Sequence, residues 1–228
     1  MLLQHSLVVW IVSLLFATNT NMLCFTPTLN TQQNVLPDVL HSLMTHDDGT
    51  QFIDDTVCDL MLLPLLLLLL SCLWYAKSSR SRCMVISELM IVHSVLVVVR
   101  GVLINVTTLP SPIHSCLDTS IRPQSYLLTI YCNDQIFSGH TTVNLIAMSA
   151  VEFNTVYVSR SIKVIGWLYV VAASIVSIAS RDHYTVDVLL AWTHTCGLMW
   201  LRRSNFEKYW NDSGVKEDEV EKNGVKVN

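Results

Sequence analysis

Two histidines and one carboxylate have the residue types and spacing to carry out chemistry. The segment "SGH", residues 138–140, lies just before one apolar run, and "HYTVD", residues 183–187, lies at the start of another. Asp187 follows His183 by four residues, so the two side chains share one face of a helix. A carboxylate in that position can accept one imidazole N–H, which leaves the other nitrogen free to attack or to carry a proton.

This set of residues suits substitution at phosphorus. One histidine would attack the phosphorus to form a phosphohistidine, while the second protonates the departing alkoxide. The starts of both helices offer free backbone N–H groups, and Gly139 lets an anion approach the backbone closely, so a phosphate could be held there. Arg100 and Arg181 could add positive charge around that phosphate. His140, His183 and Asp187 are therefore the candidate catalytic residues.

The composition shows what must position these residues. Of the 228 residues, 51% are apolar and only 14% are charged, and the apolar residues are gathered into runs. A spanning helix needs roughly 20 mostly apolar residues. Six windows meet this length: about 2–18, 57–76, 84–104, 140–158, 164–180 and 184–201. The sequence therefore predicts an all-α polytopic membrane protein whose six-transmembrane helical bundle, residues 1–203, forms one catalytic domain.

Three segments leave room for other interpretations. The window at 2–18 could be a cleaved secretory signal peptide, but no Lys or Arg precedes its apolar run, and a retained helix is favoured. Pro64 in the second window can kink a helix without excluding it from the membrane. Residues 204–228 mix charges without a hydrophobic period, which predicts a charged, disordered cytosolic tail.

The basic residues predict the orientation, because cytosolic loops collect Lys and Arg. They occur between windows two and three, between windows four and five, and after window six: Lys77, Arg80, Arg82, Arg160, Lys163, Arg202, Arg203 and Lys208. The segment at 17–56 has no basic residue and five aspartates. Both termini are therefore predicted to be cytosolic, and the two histidine segments are predicted to meet at the lumenal or extracellular face.

Other kinds of site have little support in the sequence. The seven cysteines show no CxxC or CxxH spacing, so no metal site is predicted. Cys116 and Cys132 share the predicted lumenal loop, where a disulfide is possible. Glu88 and Glu152 lie inside predicted spans, but each is close to a cytosolic end where it can reach water or an arginine, which disfavours an ion pathway. Neither a nucleotide-binding loop nor a nucleic-acid motif is present.

The two histidine segments resemble a known pair of motifs. "CNDQIFSGHT", residues 132–141, resembles Cys-Gly-Asp, three residues, Ser-Gly-His-Thr, and "HYTVDV", residues 183–188, resembles His-Tyr-Thr-any-Asp-Val. Both motifs belong to the sphingomyelin synthase family, the ceramide head-group transferases that include inositol phosphorylceramide synthases. "LPD" at 36–38 and "TTLPSP" at 107–112 are similar to further family segments. The resemblance extends from about residue 36 to 200.

The resemblance implies a triad of His140, His183 and Asp187 on the lumenal face of the Golgi or on the cell exterior. His183 would attack the phosphorus of a glycerophospholipid, and His140 would protonate the departing diacylglycerol and later deprotonate the ceramide hydroxyl. No metal or other cofactor is implied. Asp134 would orient His140 or a substrate hydroxyl. Substrate contacts would come from Arg100, Asp134, Ser138, Gly139, Arg181 and Tyr184.

The chain departs from the family pattern in several places. Asn133 replaces the glycine of Cys-Gly-Asp, Ser87 and Glu88 stand where paired arginines are usual, and Val97 stands where a tyrosine is usual. "SRDHYTVD", residues 180–187, is closer to the plant and protozoan branch, which favours inositol phosphate as the head group. Phosphatidylinositol, phosphatidylcholine and phosphatidylethanolamine all remain possible donors, and the oligomeric state is open.

Two other functions remain as alternatives. A lipid phosphate phosphatase would use the same intermediate with water as the acceptor, but Ser115 stands where that family places a lysine before Arg122-Pro123. Its motif also has several residues between the arginine and the histidine, where this chain has only Asp182. A non-enzymatic lipid-binding or transport protein is the other alternative, although the internal repeat typical of transporters is not evident.

Overall fold

The computed structural model describes residues 2–23, 37–44, 53, 55–76, 78–107, 136–154 and 158–211. All regular structure in these residues is α-helical, as predicted. The helices are α1 (Leu2–Leu23), α2 (Val39–Leu43), α3 (Asp55–Leu60), α4 (Leu63–Tyr75), α5 (Ser79–Val106), α6 (Gly139–Glu152), α7 (Arg160–Ala179) and α8 (Thr185–Asn211).

Three helical stretches are long and apolar enough to cross a membrane, judged over the described residues. They are Thr56–Tyr75, Ser79–Ile104 and Arg160–Ala179, which correspond to the second, third and fifth predicted windows. Helix α6 has 14 residues, fewer than the roughly 17 residues that a spanning helix needs. Six spans therefore remain a prediction, whereas three apolar helical stretches of spanning length are present in the described residues.

Local sequence explains where several helices begin. Ser78, Ser138 and Ser159 are the N-caps of α5, α6 and α7, and each side chain accepts a hydrogen bond from the backbone N–H three residues later. Pro64 lies in the first turn of α4, where its missing N–H costs nothing. A turn at residues 61–62 interrupts the second window between α3 and α4, and Pro64 lies in the first turn of α4 instead of kinking a single helix.

Two predicted boundaries are wrong. Helix α6 ends at Glu152 and not near residue 158, because the chain turns at Phe153 and Asn154, whose N–H groups bond back to Ser149 and Val151. Helix α8 runs ten residues beyond the predicted end at 201. Phe206 and Trp210, one turn apart, are buried there. Residues 204–211 are therefore helical and not part of a disordered tail, while residues 212–228 lie outside the described chain.

Helix α6 lies at the centre of the bundle. Leu145, Met148, Ala150 and Val151 on this helix are fully buried, and it packs against α4, α7 and α8, while α1 packs along α5. The outer faces are apolar, with large exposed side chains such as Leu67, Leu70, Ile165, Leu168 and Leu189. Lipid tails are as apolar as leucine, so this outer surface suits a bilayer.

The acids inside the predicted spans are paired. Arg202 on α8 donates to both carboxylate oxygens of Glu88 at 2.7–2.9 Å, and Asn205 donates to the same carboxylate at 3.0 Å. Glu152 accepts from the indole of Trp167 at 3.1 Å. A buried carboxylate held by an arginine in this way links two helices. These contacts support a structural role for both acids.

Candidate active site

The start of α8 holds the predicted pair of His183 and Asp187. Asp187 is fully buried, and its Oδ2 accepts the backbone N–H of Tyr184 at 2.8 Å. A carboxylate at the third helical position commonly satisfies the N-cap N–H in this way. The same Oδ2 lies 3.8 Å from Nδ1 of His183, which is too long for a hydrogen bond. The predicted imidazole–carboxylate hydrogen bond is therefore not formed, and Oδ2 of Asp187 accepts from the backbone at the helix start instead.

The environment of His183 favours a neutral ring. His183 is buried. Burial lowers the pKa of His183 well below its usual value, and the charges of Arg100 and His140 lower that pKa further. A neutral imidazole keeps a nitrogen lone pair, which a nucleophile requires. Asp187 is close enough to stabilise the ring once that ring becomes positively charged.

His140, the second residue of α6, has a carboxylate partner that sequence reasoning missed. Its Nε2 lies 2.8 Å from Oδ1 of Asp59 on α3, and its side chain is 29% exposed. The rings of His140 and His183 have centroids 6.3 Å apart. Asp59 is 81 residues from His140, so no helical or motif spacing could have linked them. Both histidines thus have a carboxylate oxygen within 4 Å.

The short helix α2 attaches directly to the turn that carries His183. Asp38, the N-cap of α2, accepts the backbone N–H and the hydroxyl of Thr185, both at 2.8 Å. Nε2 of His41 donates to the backbone carbonyl of His183 at 3.0 Å. Burial of the Asp38 carboxyl raises the pKa of Asp38, but hydrogen bonds from Thr185 and His41 outweigh it and hold that pKa below its usual value. The "LPD" motif signalled Asp38, whereas nothing in the sequence signalled His41.

Replacing Asp38 should destabilise this attachment. Asp38→Ala removes the cap of α2 and two hydrogen bonds to Thr185, so we expect the free energy of unfolding to fall by about 2 kcal/mol. Thr185→Val, which loses only the hydroxyl contact, should cost about half as much. Thermal unfolding of the purified protein in detergent measures both changes. Equal melting temperatures for wild type and Asp38→Ala would contradict the attachment.

Several of the predicted site residues line a cavity of about 370 Å³. Arg100, Gly139, His140 and His183 line it together with His93. Most of the remaining wall is aliphatic or aromatic: Leu14, Leu62, Leu96, Val97, Ile104, Phe137 and Val143. The cavity therefore has a polar end at the two histidines and a long apolar wall, an arrangement suited to a lipid with a charged head group.

The other predicted contacts lie outside this cavity. The hydroxyl of Ser138 caps α6 through Thr141 N–H at 3.2 Å, and Ser138 N–H bonds to the backbone carbonyl of Asp187 at 3.4 Å. Arg181 adopts a positive φ of 59° where the chain leaves α7, and the ring of Tyr184 lies 5.3 Å from that of His41. These residues shape the backbone around the histidines. Asp134, Cys116 and Cys132 lie outside the described residues.

Gly139 is needed for close contact with Arg100. A Cβ atom at residue 139 would lie 2.9 Å from Nη1 of Arg100, closer than side-chain carbons approach other atoms. Gly139→Ala should therefore push the guanidinium away from the cavity and lower kcat/KM for a phosphorylated substrate by about tenfold or more. Steady-state kinetics test this, and Gly197→Ala, where an added Cβ meets nothing within 4 Å, is the matched control. Equal losses in both variants would argue against a special role for Gly139.

The chain is similar to one protein family and to several known proteins. Residues 131–204 match the family model described as "PAP2 superfamily C-terminal". A phosphatidylinositol:ceramide inositolphosphotransferase from Arabidopsis thaliana is 36% identical over 102 residues, which cover 38% of this chain and 34% of that protein. A putative phosphatidylcholine:ceramide cholinephosphotransferase from Caenorhabditis elegans is 38% identical over 81 residues, covering 34% of this chain and 21% of that protein.

A third relative is matched over a longer segment. The phosphatidylethanolamine:ceramide ethanolaminephosphotransferase of Trypanosoma brucei brucei is 27% identical over 164 residues, covering 59% of this chain and 48% of that protein. The chain spans between 21% and 34% of the length of the plant and nematode relatives it matches. The motifs, the family model and these relatives agree: residues 131–204 match the PAP2 superfamily C-terminal model, and the chain is similar to ceramide head-group transferases.

Proposed function

We propose that this protein transfers a phosphorylated head group from a glycerophospholipid to ceramide and releases diacylglycerol. The observation that carries this proposal is the pair of histidines, each with a carboxylate oxygen within 4 Å, on the wall of a cavity that is mostly apolar. The names of the relatives supply the reaction class, since all three describe transfer to ceramide.

The first half of the reaction is attack on the phospholipid. Nδ1 of His183 faces Asp187, so Nε2 is the nitrogen that attacks phosphorus. A P–N bond forms while the bond from phosphorus to the diacylglycerol oxygen breaks, and a protonated His140 gives its proton to that oxygen. Asp59, whose Oδ1 lies 2.8 Å from Nε2 of His140, orients that ring. Asp187 stabilises the positive charge that develops on the His183 ring.

The second half regenerates the enzyme. His140, now neutral, removes the proton from the primary hydroxyl of ceramide, and that oxygen attacks the phosphorus. The P–N bond breaks, so His183 returns to its neutral form and the phosphosphingolipid is released. Arg100, whose guanidinium lies against Gly139 at the histidine end of the cavity, stabilises the negative phosphoryl oxygens in both steps.

Hydrolysis is the second candidate, because the matched domain belongs to the wider PAP2 superfamily. A lipid phosphate phosphatase would form the same phosphohistidine and let water attack it. Transfer requires water to be kept from the intermediate. His183 is buried, and most of the cavity wall is aliphatic or aromatic. These features favour transfer to a lipid hydroxyl.

The head group and the membrane orientation belong to the same proposal. Inositol phosphate is supported by the plant relatives and by the "SRDHYTVD" segment. The alternation of basic segments supports cytosolic termini and an active site on the lumenal face of the Golgi or on the exterior of the plasma membrane. The proposed steps use only side chains of this protein and involve no metal or other cofactor.

A transfer assay on the full chain in liposomes tests the proposed function. Fluorescent ceramide would be supplied with phosphatidylinositol, phosphatidylcholine or phosphatidylethanolamine in separate reactions, and the products would be separated by chromatography. A new phosphosphingolipid with one donor supports transfer and identifies the head group. Release of free phosphate from phosphatidic acid, with no transfer from any donor, would replace the proposal with hydrolysis.

A further inference from the structure

A third histidine lines the same cavity and takes no part in the proposed chemistry. His93 lies on α5, and its Nδ1 accepts the indole N–H of Trp10 on α1 at 3.0 Å. An indole N–H can only donate, so Nδ1 must carry a lone pair. The single proton of the neutral ring is therefore on Nε2. The hydrogen bond from Trp10 thus fixes the tautomer of His93, so that its Nε2 is a hydrogen-bond donor.

The position of His93 relative to the catalytic end follows from helix geometry. His93, Val97 and Arg100 all line the cavity from one face of α5, as their spacing of four and seven residues requires. Seven residues correspond to about 10 Å along the helix axis. Arg100 lies at the end with Gly139 and the two histidines, so His93 lies two turns further along an otherwise apolar wall.

The Nε2–H group of His93 needs an acceptor. No described residue accepts a hydrogen bond from it: the ring's hydrogen bond is to Trp10, and its ring contact is also with Trp10. Leu14, Leu62 and Leu96 line the same cavity. A donor in an apolar environment is costly without an acceptor. A ligand that fits this cavity must therefore carry a hydrogen-bond acceptor at some distance from its phosphate or reacting hydroxyl. That acceptor must lie in an otherwise apolar part of the ligand.

We propose that His93 binds the acyl carbonyl oxygen of a lipid substrate. A carbonyl accepts and cannot donate, which matches a ring nitrogen fixed as a donor, and in acyl lipids it lies between the polar end and the hydrocarbon chain. Both the ester carbonyls of a glycerophospholipid and the amide carbonyl of ceramide have this chemistry. The inference rests on the proposed function for its choice of lipids. It makes His93 a substrate-binding residue that sets the depth of the lipid in the cavity.

Binding measurements with matched lipids test this proposal. The full chain in detergent would be titrated with fluorescent phospholipid in ester-linked and ether-linked forms, and with ceramide and an analogue whose amide is reduced to an amine. His93→Asn keeps an acceptor near Nδ1 for Trp10 but places no donor at Nε2, whereas His93→Gln retains a donor near that point. We expect His93→Asn to weaken binding of one carbonyl lipid by about tenfold and His93→Gln to restore most of it.

The carbonyl-free lipids decide the outcome. If His93→Asn weakens binding of the ester lipid but leaves the ether lipid unchanged, the carbonyl is that of the phospholipid; the same pattern for ceramide and its reduced analogue assigns it to ceramide. Equal losses with and without the carbonyl, or no loss, would overturn the proposal. Turnover is read separately: a wild-type protein that binds these lipids in the expected pattern but transfers nothing would refute the proposed function and leave the His93 inference standing.

Discussion

His183→Ala is expected to reduce head-group transfer by at least about 10⁴-fold, because the variant has no nucleophile with which to form the phosphohistidine. The protein should still fold, because the substitution keeps the backbone carbonyl of residue 183, which accepts a hydrogen bond from His41 on α2. Transfer is measured with fluorescent ceramide. Incubation with a phospholipid radiolabelled at phosphorus should label the wild-type protein and leave His183→Ala unlabelled.

The control for this variant is another histidine. His5 on α1 is exposed and does not line the cavity, so His5→Ala should retain wild-type transfer and labelling. If His183→Ala retained labelled protein, the covalent bond would have to form on another residue, and the assignment of the nucleophile would be wrong.

His140→Ala is expected to reduce transfer by about 10²- to 10⁴-fold, which is the usual contribution of a general acid or base. Diacylglycerol is a poor leaving group that needs a proton, whereas p-nitrophenolate is a good one that does not. With a phosphodiester donor that carries p-nitrophenol in place of diacylglycerol, His140→Ala should therefore lose far less activity in the first step. Release of p-nitrophenolate by wild type and His140→Ala measures the difference directly.

The partner of His140 provides a graded comparison. Asp59→Asn keeps the shape of the side chain beside His140 but removes its charge, and we expect a smaller loss of transfer than in His140→Ala, about tenfold. If His140→Ala lost equal activity with the diacylglycerol donor and with the p-nitrophenol donor, residue 140 would act in binding and not in protonation.

The parts of the molecule that depend on nearby residues could be predicted from the sequence. Apolar runs predicted the helical class and located α5 and α7 well, because hydrophobic length is a local property. Boundaries were less accurate. Phe206 and Trp210 extend α8 past the charged pair Arg202 and Arg203 because they pack against the bundle, and tertiary packing overrides local composition.

The candidate site was likewise predicted only in part. The motifs indicated His140, His183 and Asp187, and the structure brings Arg100 and Gly139 to the same cavity as the two histidines. Arg181 and Tyr184, which were predicted as substrate contacts, do not line that cavity. Sequence proximity shows that residues are near one another but not which way their side chains point in a turn.

The sequence by itself determined that the chain is helical and apolar, that it resembles the ceramide head-group transferases, and that His140, His183 and Asp187 are the residues to test. Only the tertiary structure showed that Asp59 contacts His140, that Asp38 and His41 hold the turn of His183, and that Trp10 fixes the proton of His93. The physical reason is separation along the chain. A spacing of four residues constrains two side chains through one helix, whereas contacts across 81 to 147 residues exist only once separate helices have packed together.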